Sequence, residues 1–321
     1  MKAFQFVTAT SPERARDLLG NNGRFLGGGI DLLGEMKEYI AQPDTLVDVK
    51  AVPDLHRIDQ TDKSWSIGAN VTVAELEDHP DLKSVFPGLQ QAAAEVGSRQ
   101  IRNVATLGGN LAQHSRCWYY RQRDVHCLKK GGDMCYARHG DNRYHSLFTG
   151  TTCISPVVSN LAIALAALNA AVVVQRGPNN LARMSIADLY ARAWENPISQ
   201  NSLDPGDLIL RVELPVQNRR SAYLQVSDKS AFDWALVSCA SAGGIQGGKL
   251  HQARVVLGAI ANVPYQVQAA NQFLEGKTLD EDNANKAADL MLQGAEPLSD
   301  NAYKLPIARA LIRRTLLQLK A

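Results

Sequence analysis

The residues most able to do chemistry are cysteines. Five occur, Cys117, Cys127, Cys135, Cys153 and Cys239, and the first four fall within 37 residues with the spacing Cys117-x9-Cys127-x7-Cys135-x17-Cys153. An odd count, with no leader peptide apparent at the N-terminus, argues against a disulfide framework. Clustered thiols are metal ligands by their chemistry, because a deprotonated sulfur binds zinc or iron tightly. No C-x-x-C pair is present, so the spacing matches neither a ferredoxin nor a zinc ribbon. Spacing alone leaves a zinc site, an iron–sulfur cluster and free thiols open. Cys239, outside the group, reads as a small buried thiol.

Glycines supply the second signal. Phe25-Leu26-Gly27-Gly28-Gly29-Ile30-Asp31-Leu32-Leu33 reads as a strand, a turn and a helix start. Thr106-Leu107-Gly108-Gly109-Asn110 is a similar turn. Glycines let backbone N–H groups approach a phosphate, and a helix N-terminus adds a favourable dipole. In a G-x-G-x-x-G frame begun at Gly27 the third glycine position holds Leu32, so this is not a Rossmann fingerprint. Each turn alone is compatible with an ordinary tight turn. Two of them together can grip one pyrophosphate from two sides.

The elements that position these residues follow from periodicity. Phe4–Val7, Arg24–Leu26, Thr45–Val49 and Trp65–Ala69 read as strands, and Ser11-Pro12 starts a helix with a good N-cap. A helix is expected across Ile30, Leu33, Met36 and Tyr39/Ile40, and another across Leu89–Val96. From His114 to Cys153 the periodicity disappears, and an irregular segment of that length rarely keeps order without a staple. Order resumes with a helix through Leu161–Leu165 and strands at Ala171–Val174 and Leu208–Pro215. Gln217-Asn218-Arg219-Arg220 reads as a polar boundary, followed by strands at Trp234–Ala240 and Arg254–Gly258 and a helical last 60 residues.

Composition excludes several classes. The 321 residues suffice for two domains, and 34 Lys+Arg against 32 Asp+Glu give no global pull toward nucleic acid or an acidic membrane. The longest apolar run, Leu161–Val174, contains Asn169 and is shorter than a membrane span. A soluble chain without a membrane span is expected. The cysteine segment is locally basic, with seven Lys/Arg against three Asp. That charge would offset a thiolate-bound cluster; with Trp118, Tyr119 and Tyr120 it also admits a nucleic-acid surface, which the near-neutral whole disfavours. No Ser/His/Asp arrangement, H-E-x-x-H or paired carboxylates stand out, as expected where cofactors carry the reaction.

The two glycine segments resemble the FAD-binding motifs of the molybdenum hydroxylase flavoproteins. That family includes the FAD domain of xanthine dehydrogenase and the medium subunits of carbon monoxide dehydrogenase and its relatives. Gly28-Gly29-Ile30-Asp31-Leu32 follows the family's Gly-Gly-Thr-Asp/Asn-Leu, with isoleucine in place of threonine, and Arg102–Leu111 matches the second motif closely. Asp207–Pro215 resembles the strand near the flavin ring, and Ser227–Ser238, Leu257–Ala261 and Tyr303–Arg314 resemble the C-terminal domain. The likeness runs through nearly the whole chain in order. The cysteine segment resembles the insert of the 4-hydroxybenzoyl-CoA reductase and periplasmic aldehyde oxidoreductase flavoprotein subunits, through Cys117-Trp118-Tyr119-Tyr120-Arg121, Lys130–Cys135 and Asn142–His145. After Cys153 the aspartate of that pattern is absent, since the chain reads Ser155-Pro156-Val157-Val158.

The resemblance implies an α+β chain. Residues 1–216 would form a two-subdomain FAD-binding fold of the PCMH/VAO type, with an iron–sulfur insert at about 114–153. Residues 217–321 would form an α/β domain like that of CO dehydrogenase flavoprotein. It implies FAD on Leu26, Gly27, Gly28, Gly29, Ile30, Asp31, Leu32, Thr106, Gly108, Gly109 and Asn110, with Leu208 and Ile209 against the ring. It implies a [4Fe-4S] cluster on Cys117, Cys127, Cys135 and Cys153, with His114, His139 and His145 as polar loop residues near it. The expected role is electron transfer inside an aldehyde or heteroaromatic dehydrogenase. The molybdenum cofactor would sit in a large subunit and [2Fe-2S] centres in a small one. NAD, ferredoxin, quinone or oxygen would be the external partner. A reductive dehydroxylase is the alternative within the family, and a zinc-stapled binding module without flavin or a stand-alone flavoprotein oxidase outside it. The expected location is the cytoplasm, or the periplasm if a partner carries the export signal.

Overall fold

The computed structural model describes residues 1–178, 180–216 and 218–320; Gln217 and Ala321, the two ends of the expected second domain, lie outside the described residues. A small parallel sheet comes first, with β1 (Gln5–Thr8), β2 (Gly23–Leu26) and β3 (Thr45–Asp48) in the order β1-β3-β2. The helix Pro12–Leu18 starts where expected: Ser11 Oγ accepts from the Arg14 N–H at 3.1 Å, and Pro12 loses nothing at a position whose N–H has no helical partner. The helix after the first glycine turn is only Leu32–Lys37, shorter than the apolar pattern suggests, because Tyr39 turns left-handed at φ +56°.

The second sheet is antiparallel. It contains β4 (Ile58–Gln60), β5 (Ser64–Gly68), β6 (Ala171–Gly177), β7 (Asn180–Ser185) and β8 (Leu208–Pro215), in the order β4-β5-β8-β6-β7. β7 is a largely exposed edge, and its sequence carries too little alternation to announce a strand. The third sheet is β9 (Arg220–Val226), β10 (Val237–Gln246) and β11 (Lys249–Gly258), again antiparallel. Trp234 falls just before β10 and stays outside the sheet, and the polar linker of the sequence reading runs directly into β9.

Packing shows why β8 matters. Leu208 joins the core of the first sheet, with Ala15, Val47 and Leu55, while Ile209 joins the larger core of the second, with Ile67, Leu161 and Val172. Strand alternation thus pins one strand into both cores. Burying each side chain contributes about 1.5–3 kcal/mol. The helix Asn160–Ala167 is buried at every residue, which explains its continuous apolar run. Among the described residues no helix is long and apolar enough to cross a membrane. One face of the third sheet shares the large core through Ala240 and Val256; the other packs on the helices Gln268–Leu274, Glu281–Leu292 and Lys304–Gln318.

The cysteine segment is irregular, as its lost periodicity suggests. It holds single turns of helix at Trp118–Arg121, Leu128–Lys130 and Tyr136–Arg138. Both halves of the chain hold it. Leu147 and Phe148 are buried in the C-terminal core, and the Leu147 N–H donates to Ile260 O at 2.8 Å. Asn301 Nδ2 donates to Ser146 O at 3.0 Å, and Lys304 Nζ donates to His145 O and Ala259 O, each at 2.9 Å. Lys304 is fully buried, and burial pushes its ammonium down to about 7.

Candidate functional site

All thirteen residues expected at the flavin line one cleft of about 570 Å³: Leu26 through Leu32, Thr106, Gly108, Gly109, Asn110, Leu208 and Ile209. That volume lies within the usual range for ligand pockets, roughly 300–1,000 Å³. The glycines answer first to each other. A Cβ on Gly27 would sit 2.8 Å from Thr106 Oγ1, and one on Gly28 would sit 2.2 Å from Val104 O. A Cβ on Gly108 would sit 2.9 Å from the Ala69 Cβ. The two turns therefore lie on one another, and side chains are excluded by turn-on-turn packing as well as by any ligand. Gly29 has φ +72°, a left-handed conformation that favours glycine.

Side chains then settle the turn geometry. Thr106 caps the helix Leu107–Ala112 by accepting from the Gly109 N–H at 3.2 Å, and Asn110 Oδ1 accepts from Ser159 Oγ at 2.6 Å. Both helices at the cleft have six residues. Helices this short carry little macrodipole, and the first-turn N–H groups of the second are already taken: Leu107 donates to Val71 O at 2.9 Å, Gly108 to Ala69 O at 2.8 Å and Gly109 to Thr106 Oγ1 at 3.2 Å. Leu208 and Ile209 close the floor at the seam between the two cores.

Asp31 turns away from its own helix, which it leaves uncapped. Its carboxylate accepts from the His114 N–H at 2.7 Å, Arg121 Nη2 at 2.7 Å and Arg116 Nη1 at 2.8 Å. One turn on, Glu35 is 2% exposed and bonds Tyr120 OH at 2.8 Å and His114 Nδ1 at 3.0 Å. Burial pushes the Glu35 carboxyl up, but His114, Arg121 and the Tyr120 hydroxyl outweigh it and hold the group below 4.5. Asp31, Glu35 and His114 place ligand atoms within 4.8 Å of one another, yet two arginines already neutralise the acids. The group is an ion-pair cluster, and its chemistry needs no metal.

Cys117, Cys127, Cys135 and Cys153 line a single void of about 10 Å³, together with Tyr119, Tyr120, Lys129 and His145. All are free thiols. Backbone N–H groups point at the sulfurs: Tyr119 and Tyr120 at Cys117, Ala137 and Ile154 at Cys135, Ser155 at Cys153. His145 Nε2 lies 3.1 Å from Cys117 Sγ, and burial first, then the charge of Lys304, holds this imidazole down to about 4, so it is neutral. Lys129, 6% exposed, stands within electrostatic range of all four thiols while its Nζ donates to Ser199 O at 2.9 Å. Cys135 and Cys153 are hydrogen-bonded to each other, which draws Cys135 toward the thiolate. Four thiols round one void, with N–H donors aimed at the sulfurs, fit a thiolate-bound metal centre, and burial lowers the ammonium of Lys129 beside them.

The three histidines divide. His145 touches the thiol group, His114 belongs to the Asp31–Glu35 cluster, and His139 is exposed. Other cleft residues had no signal of their own in the sequence. Arg116 lines the cleft, and its guanidinium carbon lies 4.3 Å over the Trp234 ring. Burial holds it down to about 10 against the pull of Asp31, and its Nε has no partner. Phe232 and Trp234 bring the C-terminal half to the cleft mouth, and Asn70 and Gln200 line its wall. Adjacency to Cys117 marks Arg116 in retrospect, and two exposed aromatics in a polar loop mark Phe232 and Trp234.

Comparisons with known proteins identify the family. Residues 2–217 match the FAD binding domain in molybdopterin dehydrogenase, and residues 221–319 match the CO dehydrogenase flavoprotein C-terminal domain. The aldehyde oxidoreductase FAD-binding subunit PaoB of Escherichia coli (strain K12) is 30% identical, over 100% of this chain and 99% of its own. The carbon monoxide dehydrogenase medium chain of Afipia carboxidovorans is 26% identical over 94% of this chain and 91% of its own. The crystal structure of quinoline 2-oxidoreductase from Pseudomonas putida 86 superposes with a TM-score of 0.77 at 26% identity, covering 99% of this chain and 98% of that one. With both domain models matched in order, and a full-length relative at this identity, the chain belongs to the family of FAD-binding subunits of molybdenum-cofactor oxidoreductases.

Proposed function

We propose that this chain is the electron-transfer subunit of an aldehyde or heteroaromatic dehydrogenase, with FAD in the glycine-lined cleft and a [4Fe-4S] cluster on Cys117, Cys127, Cys135 and Cys153. Residues 1–216 carry the flavin and the insert, and 217–321 form the C-terminal domain. The observation that carries this reading is the convergence of both glycine turns and β8 on one cleft, with the four thiols gathered round a second pocket beside it. Bound FAD supplies the exchange between one-electron and two-electron steps.

The chain's own residues do the rest. The N–H groups of the first glycine turn hold the diphosphate, the second turn packs against the first and fixes it, and Leu208 and Ile209 keep water from the ring. The N–H groups of Tyr119, Tyr120, Ala137, Ile154 and Ser155, with His145 and Lys129, offset the charge of the thiolates. A molybdenum-cofactor large subunit performs the substrate chemistry. A [2Fe-2S] small subunit passes electrons to this chain, which delivers them to NAD, ferredoxin, quinone or oxygen. The complex works in the cytoplasm, or in the periplasm where a partner carries the export signal.

The test is the visible spectrum of the purified chain with whatever accompanies it, with iron and zinc measured on the same sample. Flavin bands with a broad shoulder and about four irons per chain are expected. Flavin without iron removes the cluster, and zinc in place of iron reassigns the cysteines.

A further inference from the structure

Two cofactor pockets in one chain can be independent or coupled, and the side chains between them decide which. Tyr120 faces both: its ring lines the cysteine void, and its hydroxyl donates to Glu35 at 2.8 Å. Glu35 in turn lines the glycine cleft. The next residue, Arg121, reaches the same place by a second route, donating to Asp31 at 2.7 Å and to Ser115 O at 2.6 Å. Asp31 follows the glycine turn by two positions and spends its carboxylate wholly on donors from residues 114–121.

We propose that Asp31, Glu35, Tyr120 and Arg121 form a positioning bridge that couples FAD binding at the first glycine turn to filling of the cysteine pocket. This rests on the cluster reading above. Cys117 begins the turn Trp118–Arg121, whose Arg121 N–H donates to Cys117 O at 2.9 Å, so the thiol and both bridge residues move as one piece. Cys117 and Tyr120 both line the cysteine pocket, so a cluster seated in it would act on this piece directly. Any shift reaches Asp31 and Glu35 through charge-assisted bonds that stretch poorly. The first glycine turn must then sit differently when the cysteine pocket is full and when it is empty. Linkage makes the effect reciprocal: a bound FAD must favour the filled cysteine pocket by the same factor.

The experiment measures FAD affinity of the flavin-stripped full chain by quenching of flavin fluorescence. One portion keeps its cluster; the other is treated anaerobically with an iron chelator and oxidant, with iron counted in both. In the wild-type chain, cluster removal weakens FAD by about tenfold, inside the usual range for coupled sites. Tyr120→Phe and Arg121→Gln each cut one of the two routes and each lowers the response, and in the double variant the same removal changes affinity less than about twofold. An iron-loaded chain whose FAD affinity ignores cluster removal overturns the bridge and leaves the cluster reading intact. So does a double variant that still responds tenfold. A chain that never holds iron overturns both.

Discussion

In the glycine-lined cleft, recognition depends on side chains that are missing. Gly27, Gly28 and Gly108 let two turns and the Ala69 backbone come within contact of one another, and a single added carbon at any of them meets a neighbour at 2.9 Å or less. In the cysteine insert, a few residues away, order depends on side chains that are present. Backbone carbonyls are tied by Arg121, Lys129, Asn301 and Lys304, and buried imidazole and ammonium groups face the thiols. One site is set by steric exclusion and the other by charge and hydrogen bonding. Their responses to mutation, pH and metal should differ accordingly.

The sharpest way to break the contrast is Cys135→Ser. Removing one thiolate ligand is expected to reduce iron from about four per chain to a small fraction, while the cleft keeps its flavin with only the tenfold weakening set by the bridge. Metal analysis and flavin stoichiometry on one sample decide it; equal loss of both cofactors would mean that the two pockets are a single folding unit. Next in size is Gly28→Ala, whose Cβ would lie 2.2 Å from Val104 O. A backbone atom cannot step aside cheaply, so the two turns must part. The expected cost is about 3 kcal/mol of stability with loss of FAD and retention of iron, read from denaturant melts and cofactor content.

A smaller, pH-dependent effect belongs to Lys304. Burial pushes its folded-state value down to about 7 against an ordinary 10.5, and a neutral amine has two N–H donors for the two carbonyls it meets. Below pH 7 both the folded and the unfolded chain hold the proton, and the burial cost is felt in full. As pH rises above 7 only the unfolded chain keeps that proton, so this group makes stability rise with pH until about 10.5. The slope is at most about 1.4 kcal/mol per pH unit. Lys304→Met should flatten the rise between pH 7 and 9, and parallel stability curves for the two proteins would remove Lys304 as its source. The smallest effect is expected at the cleft mouth. Trp234→Leu deletes the stacking of Arg116, worth about 0.5–1 kcal/mol, and should weaken FAD by roughly two- to fivefold in a fluorescence titration. A larger loss would make the C-terminal half a principal part of the flavin site.

Much of the site was legible because its signals are local. A glycine where a turn needs φ above zero, as at Gly29, or where two backbones touch, as at Gly28, leaves a mark in the residue itself. Thiols grouped in one aperiodic segment mark, in the same way, side chains that gather round one void. Ser11, Pro12 and the alternation of Leu208–Pro215 placed their elements for reasons confined to a few neighbours. β7 was not legible as a strand because an exposed edge packs lightly and loses its alternation, and β9 was not because it starts inside the polar linker and buries Ser221, Ala222 and Tyr223 in succession. Tyr39 ended a helix that the apolar pattern alone would have continued.

What the chain's order of residues determined by itself is the chemistry on offer: glycine turns that admit a phosphate, four clustered thiols, and a run of elements matching one family from end to end. Tertiary structure alone decided how those parts meet. Only in the fold does Asp31 turn from its own helix to Arg116 and Arg121, and only there does Glu35 meet Tyr120, 85 positions along the chain. The fold also brings Trp234 over Arg116 from the other half of the molecule. Long-range ion pairs and stacking depend on distances between elements, and no periodicity or spacing within one segment carries that information.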